Sequence, residues 1–404
     1  MHGYFYIALV AILSQLVFLV QMCRNYRYAL TRYKRKRLPY RPKVALIVPC
    51  KGLDRDFTKN ITSFFNQDYK NYLLWFVVAD ELDPAYAELC NLRDSLSRAS
   101  RAQDIQIHVA GKTQSCSQKN HNLLHCYHKI GDDVEVLAFA DSDIRVNSDW
   151  LSYLVYPLRK PKNGVASGYR WFVPRKNNLA TLALSAINAK IAQLLGDTHF
   201  NQAWGGSMAI RVNIFRRLGL DEIWSNSLSD DLSLSTAVKK AGLKVAFVPA
   251  CLVASYEATT WRRLFEFGRR QFLITRVNAP RTWWFGLCSS LYSILGLWAG
   301  AALAVYAASI ADKNLPLFVA VPILFFTSQL TRAILRQKMI RRLLKSDAAQ
   351  MKAAAVADIL FFWAWSFLLL FFIISSAFGR TIRWRQIRYK LLGPTRTIVL
   401  TKDP

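Results

Sequence analysis

Acidic side chains are scarce in this chain, and the spacings that would turn its other ligating residues into familiar sites are missing. The 404 residues hold 26 Asp and Glu against 54 Lys and Arg, a formal net charge of +28. Seven cysteines, at positions 23, 50, 90, 116, 126, 251 and 288, are odd in number and never spaced C-x-x-C. Neither a disulfide framework nor a cysteine zinc site is supported, and a reducing compartment suits the chain. No G-x-G-x-x-G follows a strand-like run, which removes the dinucleotide-binding reading. His121, His125 and His128 fall near one helix face, but H-E-x-x-H is absent and no fourth ligand offers itself, so a plain polar helix face is the better reading. Cys50 follows a strand without an identifiable base, which leaves a nucleophile role unsupported. No internal repeat or low-complexity tract is present.

What the chain has in abundance is apolar length. At 52% hydrophobic residues it is too apolar for a nucleic-acid-binding chain, and its apolar stretches are too interrupted for a polytopic transporter. A polar domain with membrane anchors fits. Tyr4–Met22 is uncharged, long enough to cross a bilayer and followed by no small-residue cleavage site, as expected of an uncleaved anchor. Residues 23–43 then carry nine Lys and Arg, Lys36 and Arg37 among them, and no acid. The positive-inside rule puts that side in the cytoplasm.

Three more apolar stretches lie near Trp283–Ile310, Leu315–Thr331 and Ala353–Phe378. Cations cluster after the second (Arg332, Arg336, Lys338, Arg341, Arg342, Lys345), consistent with a cytoplasmic loop if the first two form a hairpin through 311–314. The tail conflicts with this: a complete third crossing strands Arg380, Arg383, Arg385, Arg388 and Lys390 outside. Either that stretch lies partly in the interface or the tail is an exception. The basic excess reads as topology-setting and headgroup-contacting charge, since the cations flank spans and do not line one surface. The expected divisions are an anchor at 1–22, a basic linker at 23–40, a soluble domain at 41–282, membrane segments at 283–378 and a basic tail at 379–404.

Within the soluble part, short β-rich runs alternate with helix-length amphipathic ones: VALIVPC (44–50), LLWFVVA (73–79), IQIHVA (105–110), VEVLAFA (134–140) and KVAFVPA (244–250). That rhythm predicts an α/β fold with a mainly parallel sheet. Ligands of such sheets bind beyond the carboxyl ends of the strands. There the sequence places Pro49-Cys50-Lys51-Gly52, Asp80-Glu81 and, most informatively, Asp141-Ser142-Asp143. Two carboxylates one small residue apart suit Mg²⁺ or Mn²⁺, hard cations usually held by one or two carboxylates plus nucleotide phosphates. The plain alternative is an ordinary turn after a buried strand.

Seven pieces in order carry a resemblance: KGLDRDFTKNITSFFNQDY (51–69), VVADELDPAY (77–86), KNHNL (119–123), FADSDIRV (139–146), WGGSMAIR (204–211), SDDLSLSTAVKKAG (229–242) and IRWRQIRYKL (382–391). Together they resemble family 2-type inverting glycosyltransferases with a GT-A nucleotide-diphospho-sugar transferase domain, most closely the ceramide glucosyltransferase branch, over nearly the whole chain. The resemblance implies an integral membrane enzyme, of a bacterial inner membrane or an internal eukaryotic one, with its catalytic domain cytoplasmic. It implies sugar transfer from a nucleotide-sugar donor such as UDP-glucose to a lipid hydroxyl such as that of ceramide, with Mg²⁺ or Mn²⁺. A processive polysaccharide synthase of the same superfamily and a non-catalytic membrane-anchored binding protein remain the alternatives.

By position, Asp80 matches the nucleotide-base contact, Asp141 and Asp143 the metal and diphosphate motif, and Asp231 the general base. Asp230 beside it is positioned to raise its neighbour's pKa by repulsion, unless the two side chains diverge. The pair also suits a helix cap. Lys119 fits a donor-phosphate or structural contact. The family's Gln/Arg-x-x-Arg-Trp motif is degenerate here, reading FGRRQFLITR (267–276), so Arg269, Arg270 and Gln271 are its donor-side candidates, against a basic amphipathic helix lying on headgroups. Trp204, Gly205 and Gly206 are expected to shape the acceptor pocket, the glycines by allowing close backbone approach and the indole by stacking on a sugar.

Overall fold

The structure, a computed structural model, describes residues 2–35 and 39–400. Lys36 and Arg37 of the basic run and the last four residues of the tail lie outside the described residues.

Seven strands form one sheet: β1 (Val44–Pro49), β2 (Tyr72–Val78), β3 (Asp104–Val109), β4 (Val136–Ala140), β5 (Asn163–Pro174), β6 (Ser207–Arg211) and β7 (Lys244–Glu257), in the order β3-β2-β1-β4-β6-β5-β7. Pairings are parallel except at β6, which runs antiparallel to both β4 and β5. β1 and β4 are apolar and buried along almost their whole length, as strands covered on both faces must be. One apolar layer gathers Phe57, Ile61 and Phe64 with Trp150 and Leu151, and the other Leu123, Phe215, Trp224 and Leu234. The fold is thus mixed α/β with a mostly parallel sheet, as the run spacing predicts. β5 and β6 escape that reading because Asn163-Gly164, Ser167-Gly168 and the five-residue Ser207–Arg211 offer no clean apolar run.

Among the described residues three helices are long and apolar enough to cross a membrane: Gly3–Arg32, Pro280–Ser309 and Leu315–Leu343. The first runs on through residues expected to form a linker. Its extension is held by the domain: Asn25 Nδ2 donates to the carbonyls of Gln193 and Leu194 (both 3.1 Å), the Tyr28 hydroxyl donates to Phe247 O (2.9 Å), and Ala29 is fully buried.

The apolar stretch after these is not one straight helix. Helices Lys352–Leu360 and Phe362–Ser375 meet at 86°. Asp358 sits completely buried in the first, gripped by both Arg336 guanidinium ends and by Gln337 Nε2 at 2.7 Å. A buried charge of this kind is tolerated only when paired.

Both ends of the bent pair lie against the α/β domain. On the entry side the Tyr33 hydroxyl donates to Leu343 O (3.0 Å) and the Tyr256 hydroxyl to Asp347 (2.5 Å). On the exit side the tail folds into an antiparallel sheet, β8 (Thr381–Trp384), β9 (Ile387–Gly393) and β10 (Arg396–Leu400). This small sheet packs Ile382, Tyr389 and Leu391 against Leu228 and Leu273, and Thr397 N donates to Asn226 O (3.0 Å). The basic tail and the basic loop thus both lie against the α/β domain, the arrangement of a re-entrant pair and the one that accords with the positive-inside rule.

Candidate active site

Asp141 is where β4 leaves the sheet. Because β6 is antiparallel to β4, with Ala140 opposite Ser207, the Trp204-Gly205-Gly206 loop that leads into β6 arrives beside it, and Asp141 N donates to Gly206 O (3.3 Å). Lys119 comes from the first turn of helix Gln118–Tyr127, which Ser117 caps. Its Nζ lies 2.6 Å from Asp141 Oδ1 and 2.9 Å from Asp230 Oδ2. Burial works against the Lys119 charge, but Asp141 and Asp230 outweigh it and hold its pKa above the ordinary lysine range.

Asp230 and Asp231 open helix Asp230–Lys240, where the positive end of the helix favours acids. Ser229 is the N-cap, its Oγ accepting from Leu232 N. The two acids diverge. Asp230 is 4% exposed and turned to Lys119; burial pushes its carboxyl up to about 6, with Lys119 pulling the other way. Asp231 is half-buried, at the cleft. Its Oδ1 accepts from Ser229 Oγ (2.6 Å) and Leu232 N (2.7 Å), whereas among the described residues Oδ2 accepts from Gly205 N alone (3.1 Å). A carboxylate oxygen accepts about two hydrogen bonds, so Oδ2 keeps a lone pair for an incoming hydroxyl. Gly205 has to be glycine: a Cβ there collides with Asp230 Oδ2 and sits 2.7 Å from Lys119 Nζ. A Cβ on Gly206 would strike the Trp204 ring. The indole is 9% exposed and packs edge-on against Tyr169 at 6.0 Å, so it forms the floor of this loop.

Asp143 completes the acidic side. Its Oδ1 is buried and has no hydrogen-bond partner among the described residues. Burial first, then Asp141, raises its pKa, while Arg170 and Arg385 pull it down. A buried, unpartnered carboxylate oxygen next to a second acid is an environment that a hard divalent cation answers, so the pair fits Mg²⁺ or Mn²⁺. Among the described residues no group of three Asp, Glu, His or Cys could hold a metal. Further ligands would have to be donor oxygens and water. The three histidines do not converge on a ligand: His121 Nε2 lies 2.9 Å from Ala110 O, His125 packs edge-on against His108 at 5.9 Å and His128 lies against Tyr127 at 5.2 Å.

Facing the acids is a cluster of guanidiniums. Arg170 (β5) lies 4.6 Å over Phe172 and 5.7 Å over Trp204, and Arg270 lies 5.5 Å over Phe267. Burial, then repulsion from Arg170 and Arg385, lowers Arg270 to about 10. Arg170 and Arg385 are residues that sequence reasoning missed. Arg385 occupies the β8–β9 turn with φ 48°, followed by Gln386 with φ 67°, the left-handed pair of a two-residue hairpin. Its Nη2 lies 3.0 Å from Asp54, its Nη1 donates to Lys51 O (3.2 Å), and Lys51 Nζ donates to its carbonyl (2.9 Å). The available signal was the period-two alternation of Ile382, Trp384 and Ile387, Tyr389, Leu391; the Arg-Gln turn lacks the Asn or Gly that announces a hairpin.

The sequence model of glycosyl transferase family 21 matches residues 3–397. The chain belongs to glycosyl transferase family 21. Among solved structures, it is similar to a mannosyltransferase from Pyrobaculum calidifontis in complex with GDP-mannose and Mn²⁺, at 16% identity and a TM-score of 0.47, covering 91% of this chain and 97% of that one. It is also similar to GalNAc-T7 with UDP, GalNAc and Mn²⁺, at 12% identity and a TM-score of 0.39, covering 63% of this chain and 51% of that one.

The resemblance read from the seven motifs is thereby borne out at the level of the family, and the chain is a membrane-associated glycosyltransferase with a GT-A fold. In this family 21 glycosyltransferase the structure brings together Asp141, Lys119, Asp230, Asp231 and Gly205 through direct contacts, with Asp143, Trp204 and Arg270 adjoining. Asp80 stands apart. It ends β2, two strands from β4 at the same carboxyl edge, roughly 10 Å away at the usual strand spacing, and pairs with Lys112 at 3.2 Å. Arg269 turns away, donating to the carbonyls of Ser375 (3.2 Å) and Phe378 (2.8 Å) where the bent helix pair ends. Gln271 engages Thr275 Oγ1 through its backbone carbonyl.

Proposed function

We propose that this enzyme performs inverting transfer of a hexose from a UDP-sugar, UDP-glucose by family resemblance, to the hydroxyl of a ceramide-like membrane lipid at the cytoplasmic face. The observation that carries the reading is the division of labour between the neighbouring acids: Asp230 is committed to Lys119, while Asp231 Oδ2 is open beside Gly205. In the reaction Asp231 takes the acceptor O–H proton as that oxygen bonds the anomeric carbon, and the nucleotide diphosphate departs from the opposite face with the bonding electrons. A carboxylate positioned as base without a second nucleophilic step implies a single displacement, hence inversion.

Asp141 and Asp143 would hold Mg²⁺ or Mn²⁺, which when bound supplies charge compensation to the diphosphate. Lys119 keeps Asp230 and Asp141 in fixed positions. Arg170, Arg270 and Arg385 mutually repel, and a diphosphate relieves that repulsion, so the cleft is preorganised for the leaving group's charge. Asp80 at the far edge suits the nucleotide base. The cytoplasmic assignment is supported by the basic helix extension, the basic loop and the basic tail all lying on the domain's side.

The test is transfer from radiolabelled UDP-glucose to extracted lipids in membranes carrying the chain, with the product's anomeric configuration read by NMR. A β-linked glycolipid is expected. An α-linked product would exclude the single displacement, and absence of transfer from any nucleotide sugar would exclude the enzyme reading. Arg385→Ala should lower kcat by about 10²-fold, the usual scale for one preorganised charge donor, with KM for the lipid unchanged. An unaltered kcat would remove Arg385 from the leaving-group role.

A further inference from the structure

A second polar feature lies among the membrane helices, and none of its lining residues belongs to the aspartate cleft. A cavity of about 110 Å³ opens between the N-terminal helix, helix Leu179–Ala192 and the helices that contain Tyr292, Arg332 and Ser366. This is several times what one water molecule requires. Lys190, Arg332 and Arg336 all line it. Of these, Arg336 is neutralised by Asp358. Lys190 Nζ donates only to neutral groups, Phe362 O at 3.0 Å and Ser366 Oγ at 2.6 Å. Arg332 has no carboxylate within ion-pair reach among the described residues. With Arg336 paired to Asp358, Arg332 keeps an uncompensated charge between helices of membrane length, and Lys190 lines the same cavity as a further donor. Uncompensated charge there is costly, and a guanidinium cannot escape by losing its proton.

Gln15 provides an independent sign. It is 1% exposed, lines the same cavity, and neither its Nε2 nor its Oε1 has a hydrogen-bond partner among the described residues. A buried amide with both ends unsatisfied is costly in an apolar setting. The cavity thus offers cations and an amide N–H to an acceptor-rich anion, and an amide oxygen to a hydroxyl. Arg332 directly follows the apolar part of helix Leu315–Leu343, whose end packs Met339, Ile340 and Leu343 in one cluster with Trp171 and Phe247 of the domain, so the cavity lies toward the leaflet on the domain's side.

We propose that this cavity binds the phosphate of an anionic, hydroxyl-bearing phospholipid, with Lys190 and Arg332 on the phosphate and Gln15 on the headgroup. The experiment is native mass spectrometry of the detergent-solubilised full chain, with thermal unfolding alongside, titrated with phosphatidylglycerol, phosphatidylcholine or inorganic phosphate. Phosphatidylglycerol should be retained as one adduct per chain with at least tenfold preference over phosphatidylcholine and should raise the unfolding temperature, while inorganic phosphate does neither. Arg332→Gln and Gln15→Leu should each weaken the adduct about tenfold, and Arg332→Lys should keep most of it. The wild-type lipid preference decides the matter even if a variant fails to fold. Equal retention of the two lipids, a phosphate-only effect, or undiminished binding in both variants would overturn the proposal.

Discussion

Asp231→Asn should reduce transfer about 10³-fold in kcat while donor affinity stays unchanged. The substitution keeps the side chain's shape and an oxygen for the Ser229 and Leu232 donors, while the position of Oδ2 becomes an amide NH₂ that cannot take the acceptor proton; general-base catalysis is typically worth 10² to 10⁴ (~10³ here). Asp230→Asn is the informative control. Asp230 is buried against Lys119, so its loss should disturb Lys119, and through it Asp141, and show itself first in donor KM. Single-turnover transfer and nucleotide-sugar binding measured on both variants separate the two roles. If Asp230→Asn lost the chemical step while Asp231→Asn kept it, the assignment of the base would be reversed.

The paired substitution Asp141→Ala with Asp143→Ala should abolish the dependence of donor binding on Mg²⁺ or Mn²⁺ and weaken UDP-sugar affinity by about 10³-fold, since metal compensation of a diphosphate is worth several kcal/mol. Calorimetric titration of the nucleotide with and without the metal reads this directly, and unchanged affinity would dismiss the metal role. A second readout separates function from structure. Asp143 carries a carboxyl whose pKa is raised in the folded state by burial and by Asp141. The folded protein therefore binds this proton more readily than the unfolded chain does. Stability attributable to Asp143 is missing at neutral pH and returns as pH falls through the raised value toward the ordinary carboxylate range. Asp143→Ala alone should leave thermal stability at neutral pH equal to or above wild type and flatten its rise on acidification. A marked loss of stability would instead make Asp143 a structural residue.

The fold was legible where a segment's environment is uniform along its length. β1, β2 and β4 are covered on both faces, so each reads as an apolar run whatever its partners, and β3 at the sheet edge reads as the alternating Ile105, Ile107 and Val109. β5 and β6 were not legible, because their Gly and Ser residues answer to close approach by other backbone: a Cβ on Gly168 would collide with Cys251 O. The bent helix pair looked like one straight helix because composition records apolarity and not direction. Its turn depends on Asp358 finding Arg336, 22 residues earlier.

The candidate site divides the same way. Asp141 and Asp143 were visible because a strand must end somewhere, and acids at its carboxyl end stand out against an apolar run. The sequence by itself determined that this chain is a membrane-anchored α/β protein with acids at the strand ends, properties set by local composition and period. Only the tertiary structure decided which of Asp230 and Asp231 faces the cleft, that Arg385 reaches Asp54 from a tail more than 300 residues away, and that Arg269 is spent on a helix end. Those outcomes depend on side-chain direction at a helix terminus and on contacts between distant segments, and neither leaves a periodic trace in the chain.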